Sequence, residues 1–248
     1  MTLLNALKTI VFLIITLYIA PFLIDGIKNQ YITILEPQTA IGIINITEPL
    51  YTAHSSIQQL HSYFQDPTIK GIVLKINCSH TAAGTSQTIF HDIRHLKKEY
   101  PKPIIALVEN ICLSGAYLIA SACDSIIAPE SAMIGNIGQD FNTWSLQQIT
   151  SEKNNALETI ENESYQQLIK QIALSRKLPL TTTQNWGNGK IFTGSQAMAF
   201  GLINEVGSLC TVIKMIKEKV LVEGEINWIE HNATNKVHSI SSLAISVQ

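Results

Sequence analysis

Charge is scarce in this chain: Asp, Glu, Lys and Arg make up 15% of its 248 residues, where about a quarter is usual. Lys and Arg total 17 against 19 for Asp and Glu, a formal net charge of −2. Without a net basic field, gripping nucleic acid is excluded as the main work. Cysteine is also sparse. Cys78, Cys112, Cys123 and Cys210 contain no C-x-x-C pair, so they carry no metal signature, although outside the cytoplasm they could pair as disulfides. There is no phosphate-cradling glycine loop, no H-E-x-x-H and no G-x-S-x-G elbow, and hence no motif for a nucleotide, a zinc-bound water or an α/β-hydrolase serine. Internal repeats and long linkers are absent too. Disorder is excluded by the 46% apolar content, enough to bury a core.

What the chain does have, at its start, is a charge-free run from Thr9 to Ile24. These sixteen residues would make about 24 Å of helix. Leu3, Leu4, Ala6 and Leu7 extend the run, and Lys8 can snorkel, so Leu3–Ile24 reaches about the 30 Å of a bilayer core. A cleaved signal peptide is the rival reading, but Tyr18 and Pro21 flank Ala20 poorly for cleavage. The expectation is one N-terminal transmembrane helix, residues 1–30, with the body on the extracytoplasmic side of a bacterial inner or plasma membrane.

After the anchor the hydrophobic rhythm switches repeatedly. Tyr31–Leu35, Ile41–Ile46, Gly71–Ile76, Pro103–Val108 and Ser125–Ala128 read as strands. Ser55–Phe64, Ser86–Lys98, Leu113–Ala122, Glu152–Arg176, Gln196–Phe200 and Thr211–Val222 read as helices. Ile226–Ile229 reads as an edge strand. Alternation of this kind predicts an α/β domain over residues 31–230, with βαβ units around a mostly parallel sheet. Residues 231–248 read as a polar tail.

The stretch Cys112-Leu113-Ser114-Gly115-Ala116-Tyr117 places a serine between a strand and an apolar helix. A nucleophile suits that position, because the first N–H groups of a helix can stabilise an oxyanion. Gly115 would let the chain turn tightly and let substrate approach. The plainer alternative is an N-cap serine followed by a packing glycine. His91 and His95 have a legal metal spacing, but with no third ligand in the motif they read as a solvated helix face.

Several motifs in order resemble the signal peptide peptidase family, S49, of the ClpP/crotonase superfamily. They are Lys70–Asn77, Lys102–Ala106, Ser114–Ala120, Ala122–Pro129, Gly135-Asn136-Ile137-Gly138, Gly189–Ala197 and Gly201–Gly207. The resemblance spans residues 40–215. It implies a serine peptidase with a lysine base and no cofactor or metal. It implies peptides or small membrane proteins as substrates, and homo-oligomers. By motif, Ser114 would be the nucleophile and Gly115 an oxyanion donor. Two departures stand out. Where the family has Ser-Pro-Gly-Gly, this chain has Cys78-Ser79-His80-Thr81, so a backbone N–H of His80 or Thr81 would have to complete the oxyanion site, or His80 could serve as a base. The segment that carries the family's lysine is also missing, and Lys153 is the nearest lysine downstream. Two readings follow: a membrane-anchored serine peptidase, or a catalytically impaired relative acting as a membrane-anchored binding or scaffold protein.

Overall fold

The computed structural model describes residues 39–47, 50–138, 155–222, 224–231 and 237–240, together with 8, 15, 16 and 18–22. Lys153, the expected strand Tyr31–Leu35 and most of the expected anchor lie outside the described residues. The chain divides into two compact units, Met1–Gln38 and Thr39–Gln248. In the first, the described residues are helical, and Tyr18 and Phe22 are 79% and 85% exposed. Among the described residues, no helix is long and apolar enough to cross a membrane.

The second unit is an α/β fold. Its elements run β1 (Thr39–Thr47), α1 (His54–Gln65), β2 (Ile69–Cys78), α2 (Ala83–Glu99), β3 (Ile104–Leu113), α3 (Gly115–Ser121), β4 (Ser125–Ala128) and β5 (Met133–Gly135). Then come α4 (Asn155–Arg176), α5 (Thr183–Trp186), β6 (Ile191–Thr193), α6 (Gly194–Ala199), β7 (Glu205–Val206), α7 (Leu209–Val220), β8 (Ile226–His231) and β9 (Val237–Ile240). The described strands form one sheet in the order β6-β5-β3-β2-β1-β8-β9, with β4 joining β3 to β7. Pairing is parallel except for β5–β6 and β8–β9. Ile226–Ile229 was expected at an edge, but β8 sits between β1 and β9. The strand β9 falls within the stretch that read as a polar tail.

Both faces of the sheet are covered, and the strands alternate accordingly. Ile44, Ile46, Ile72, Leu74, Ile76, Ile104, Ala106 and Val108 enter the larger core with Phe64 of α1, Ile89 and Phe90 of α2, and Leu168 and Ile172 of α4. Ile41, Ile43, Val73, Ile105 and Leu107 point the other way, onto Val212 and Ile216 of α7 and onto Trp228. This period-two switch is why the near-continuous apolar runs are strands.

β3 is the strand that builds the site. Its first half pairs with β4 through Ile105–Leu107, and its second half pairs with β5 through Ile111–Leu113. Asp124 fixes the far end: Oδ2 accepts from Ile104 N at 2.9 Å, and Oδ1 lies 2.6 Å from Lys97 Nζ. The end of the Gly189–Ala197 motif is structural. Thr193 and Gln196 form a capping box for α6, which satisfies two otherwise orphaned N–H groups. A Cβ on Gly194 would stand 2.0 Å from the Pro129 carbonyl oxygen, so only glycine fits there.

Candidate active site

β3 ends at Leu113, and α3 begins at Gly115. The whole reversal between them falls on Ser114, with φ 52° and ψ −119°. Few non-glycine residues adopt such a backbone, and it costs of order 1–3 kcal/mol. Its hydroxyl does not cap the helix, so the N-cap alternative loses its hydrogen bond. Half-buried, it points instead across to the turn after β5. Ser114 Oγ donates to the Asn136 carbonyl oxygen at 2.9 Å, and Asn136 Nδ2 donates to Ser114 Oγ at 3.0 Å.

Gly115 does a different job from the one its sequence position suggested. The tight turn is made by Ser114, and Gly115 is required by close approach. A Cβ on it would stand 2.0 Å from Thr81 Oγ1 and 2.6 Å from Ser86 Oγ. The residue therefore holds the start of α3 against the loop after β2. As the first residue of a helix, its N–H has no intrahelical acceptor, and it remains a donor next to the serine.

That loop, Ser79–Thr81, is tied to the body by a parallel bridge between Leu50 and Thr81 and by Ala82 N donating to the Leu50 carbonyl oxygen at 3.2 Å. Neither His80 nor Thr81 has positive φ, so the loop does without the backbone freedom of the glycines that the family carries there. Thr81 Oγ1 is buried and has no hydrogen-bond partner among the described residues. His80 is exposed, and its Nδ1 lies 2.5 Å from Ser79 Oγ.

Among the described residues, then, the structure brings together Ser114, Gly115 and Thr81. His80 sits on the same loop but does not bond the serine hydroxyl, and Lys153 lies outside the described residues. Sequence reading missed Asn136. The available signal was the Gly135-Asn136 dipeptide, since asparagine tolerates the left-handed backbone that it adopts here at φ 49°.

The neighbouring thiols are inert. Cys78 and Cys112 are register partners on β2 and β3, and no disulfide joins the described cysteines. Burial pushes the Cys112 thiol well up, reinforced by Cys78 and Cys123, so a neutral thiol stands two residues before Ser114 and does not compete as a nucleophile. His95 pairs with Glu99 at 3.1 Å, and His91 lies against Gln171. The two histidines thus face different partners.

A serine held in a strained strand-to-helix turn of an α/β fold, with the first N–H of a helix beside it, has the local geometry that a nucleophile with an oxyanion donor needs. The fold is supported by an enoyl-CoA hydratase/isomerase family structure from Mycobacterium abscessus, at TM-score 0.53 and 14% identity over 75% of this chain and 73% of that one. The model of Peptidase family S49 matches residues 96–149 and 139–223, and the chain belongs to that family. Relatives include a protein from Methanocaldococcus jannaschii named as a protease, 24% identical over 65% of this chain and 60% of its own length. Others are the chloroplastic serine protease SPPA of Arabidopsis thaliana, 24% identical over 79% of this chain and 34% of its own, and a protein of Enterococcus faecium named as a signal peptide peptidase SppA, 22% identical over 85% of this chain and 70% of its own. The chain therefore spans 60% and 34% of the first two relatives.

Proposed function

We infer that this protein is a membrane-anchored serine peptidase of the signal-peptide-peptidase type. The observation that carries the reading is the strained backbone of Ser114 at the mouth of α3. A strained, non-glycine backbone persists where the fold over-determines it, and such positions cluster at functional sites. In the proposed reaction Ser114 Oγ attacks a peptide carbonyl. The O–C bond forms as the hydroxyl proton passes to a general base, and the carbonyl oxygen takes the negative charge. The Gly115 N–H, with a backbone N–H from His80 or Thr81, holds that oxyanion. Collapse breaks the C–N bond, and the base returns its proton to the leaving amine. Water then hydrolyses the acyl-enzyme by the same route. Lys153, the first lysine after the Gly135–Gly138 motif, is the candidate base, acting from a neutral and desolvated amine.

Membrane attachment through residues 1–30 rests on the charge-free run Thr9–Ile24 and on exposed Tyr18 and Phe22. Peptides or small proteins released within the membrane are the matching substrates, and assembly of several copies follows from the family resemblance.

A second reading has its own support. Among the described residues, the Ser114 hydroxyl makes its hydrogen bonds with Asn136 and none with an amine or imidazole, an arrangement that also suits a relative that binds peptides without turnover. The test is hydrolysis of an apolar signal-peptide-like peptide by the full chain in detergent micelles, read by mass spectrometry. Cleavage by the wild type and none by Ser114→Ala supports the peptidase. Peptide binding that is equal in both, with no products, supports the binding protein.

A further inference from the structure

The geometry points to Asn136 as a second catalytic residue, whose carboxamide donates to the oxygen that attacks. This rests on the reading of Ser114 as the nucleophile. A serine hydroxyl has one proton, and here that proton is committed to the Asn136 carbonyl oxygen at 2.9 Å. The contact between Oγ and the Asn136 side chain, at 3.0 Å, must therefore use a proton from Asn136 Nδ2. One residue thus fixes the direction of the hydroxyl proton with its backbone and places a donor on the lone pairs with its side chain.

The two contacts differ in consequence. The carbonyl holds the resting hydroxyl in one rotamer. The N–H strengthens its bond as negative charge grows on Oγ, because hydrogen bonds to charged oxygen are about twice as strong as neutral ones. A donor on Oγ favours its deprotonated form and makes the serine easier to ionise. The arrangement is built rather than incidental. Asn136 N donates to the Lys190 carbonyl oxygen at 2.8 Å, and Ser114 N donates to the Gly135 carbonyl oxygen at 2.8 Å. Both residues are held at positive φ, 52° and 49°, so two turns fixed by the fold face each other across these bonds. The bland account is that asparagine is present only because it tolerates this φ. Two substitutions separate the accounts. Asn136→Gly keeps the backbone and its carbonyl but removes the carboxamide. Asn136→Asp keeps size and backbone tolerance but replaces the donor with an acceptor.

The experiment measures the rate of covalent labelling by a fluorophosphonate in the full chain across pH. In that step the Oγ–P bond forms and the P–F bond breaks. Fluoride leaves, and the hydroxyl proton passes to the amine base or to water. Both variants are expected to fold with wild-type circular dichroism and to label about 10- to 100-fold more slowly. Asn136→Asp should also shift the rate–pH profile upward by about a unit or more, because a carboxylate beside Oγ opposes its ionisation. Wild-type labelling rates in Asn136→Gly, or an unshifted profile in Asn136→Asp, would overturn the role of Asn136 while leaving Ser114 as nucleophile. No labelling of the wild type would overturn both.

Discussion

Replacing Ser114 by glycine and, separately, by alanine isolates the strain stored at the site. Both substitutions remove the hydroxyl and both hydrogen bonds to Asn136, so those losses cancel in the comparison. What remains is the backbone. At φ 52° and ψ −119°, alanine keeps a strain of about 1–3 kcal/mol, while glycine relieves it. Against this, glycine costs about 0.5–1 kcal/mol in unfolded-state entropy. The difference leaves Ser114→Gly more stable than Ser114→Ala by about 1 kcal/mol, the reverse of the usual order. Urea unfolding of the two variants, followed by circular dichroism, reads this as a higher midpoint for glycine at equal slope. An alanine variant as stable as the glycine variant, or more so, would refute the claim that residue 114 is held under strain.

Gly115→Ala should destabilise the fold by about 1–3 kcal/mol through overpacking, since its Cβ would meet Thr81 Oγ1. Adding Thr81→Ala should recover part of that loss, which a double-mutant cycle in urea would show. Tyr117→Phe should cost about 1–3 kcal/mol, because the buried hydroxyl donates to the Leu202 carbonyl oxygen at 2.6 Å and its loss strands that carbonyl. Alkaline stability should be governed partly by buried thiols. Burial pushes Cys123 up to about 12 from an ordinary 9.0, so above about pH 9 the unfolded chain loses a proton that the folded chain keeps. Stability is then full below the unfolded value and falls by about 1.4 kcal/mol per pH unit for each such group as pH rises toward the folded value. Urea midpoints for Cys123→Ala between about pH 9 and 11 should show a slope shallower by one proton.

The sheet was legible because its strands are covered on both sides. Runs such as Gly71–Ile76, broken only by Lys75, and Pro103–Val108 are almost wholly apolar and open on Gly or Pro, which is the pattern of buried parallel strands. The strands β5, β6 and β7, of two or three residues each, have no periodicity to read. Their positions are set by pairing: β5 with β3, β6 with β5 and β7 with β4. At the site, the chain order strand–serine–helix was readable, but the distribution of labour was not. Glycine was the natural choice for the turn, yet the fold puts positive φ on Ser114 and uses Gly115 to admit Thr81. Asn136 was visible only as part of a motif. That its carboxamide reaches Ser114 depends on how β5 lies beside β3, a contact between residues 22 positions apart.

The central claim is that the Ser114 oxygen is the reacting atom. Peptide mapping by mass spectrometry after fluorophosphonate treatment of the full chain tests it most directly. The prediction is a single phosphonyl adduct on the peptide containing Ser114, lost in Ser114→Ala. An adduct on another residue, or the same adduct yield in the alanine variant, would contradict it.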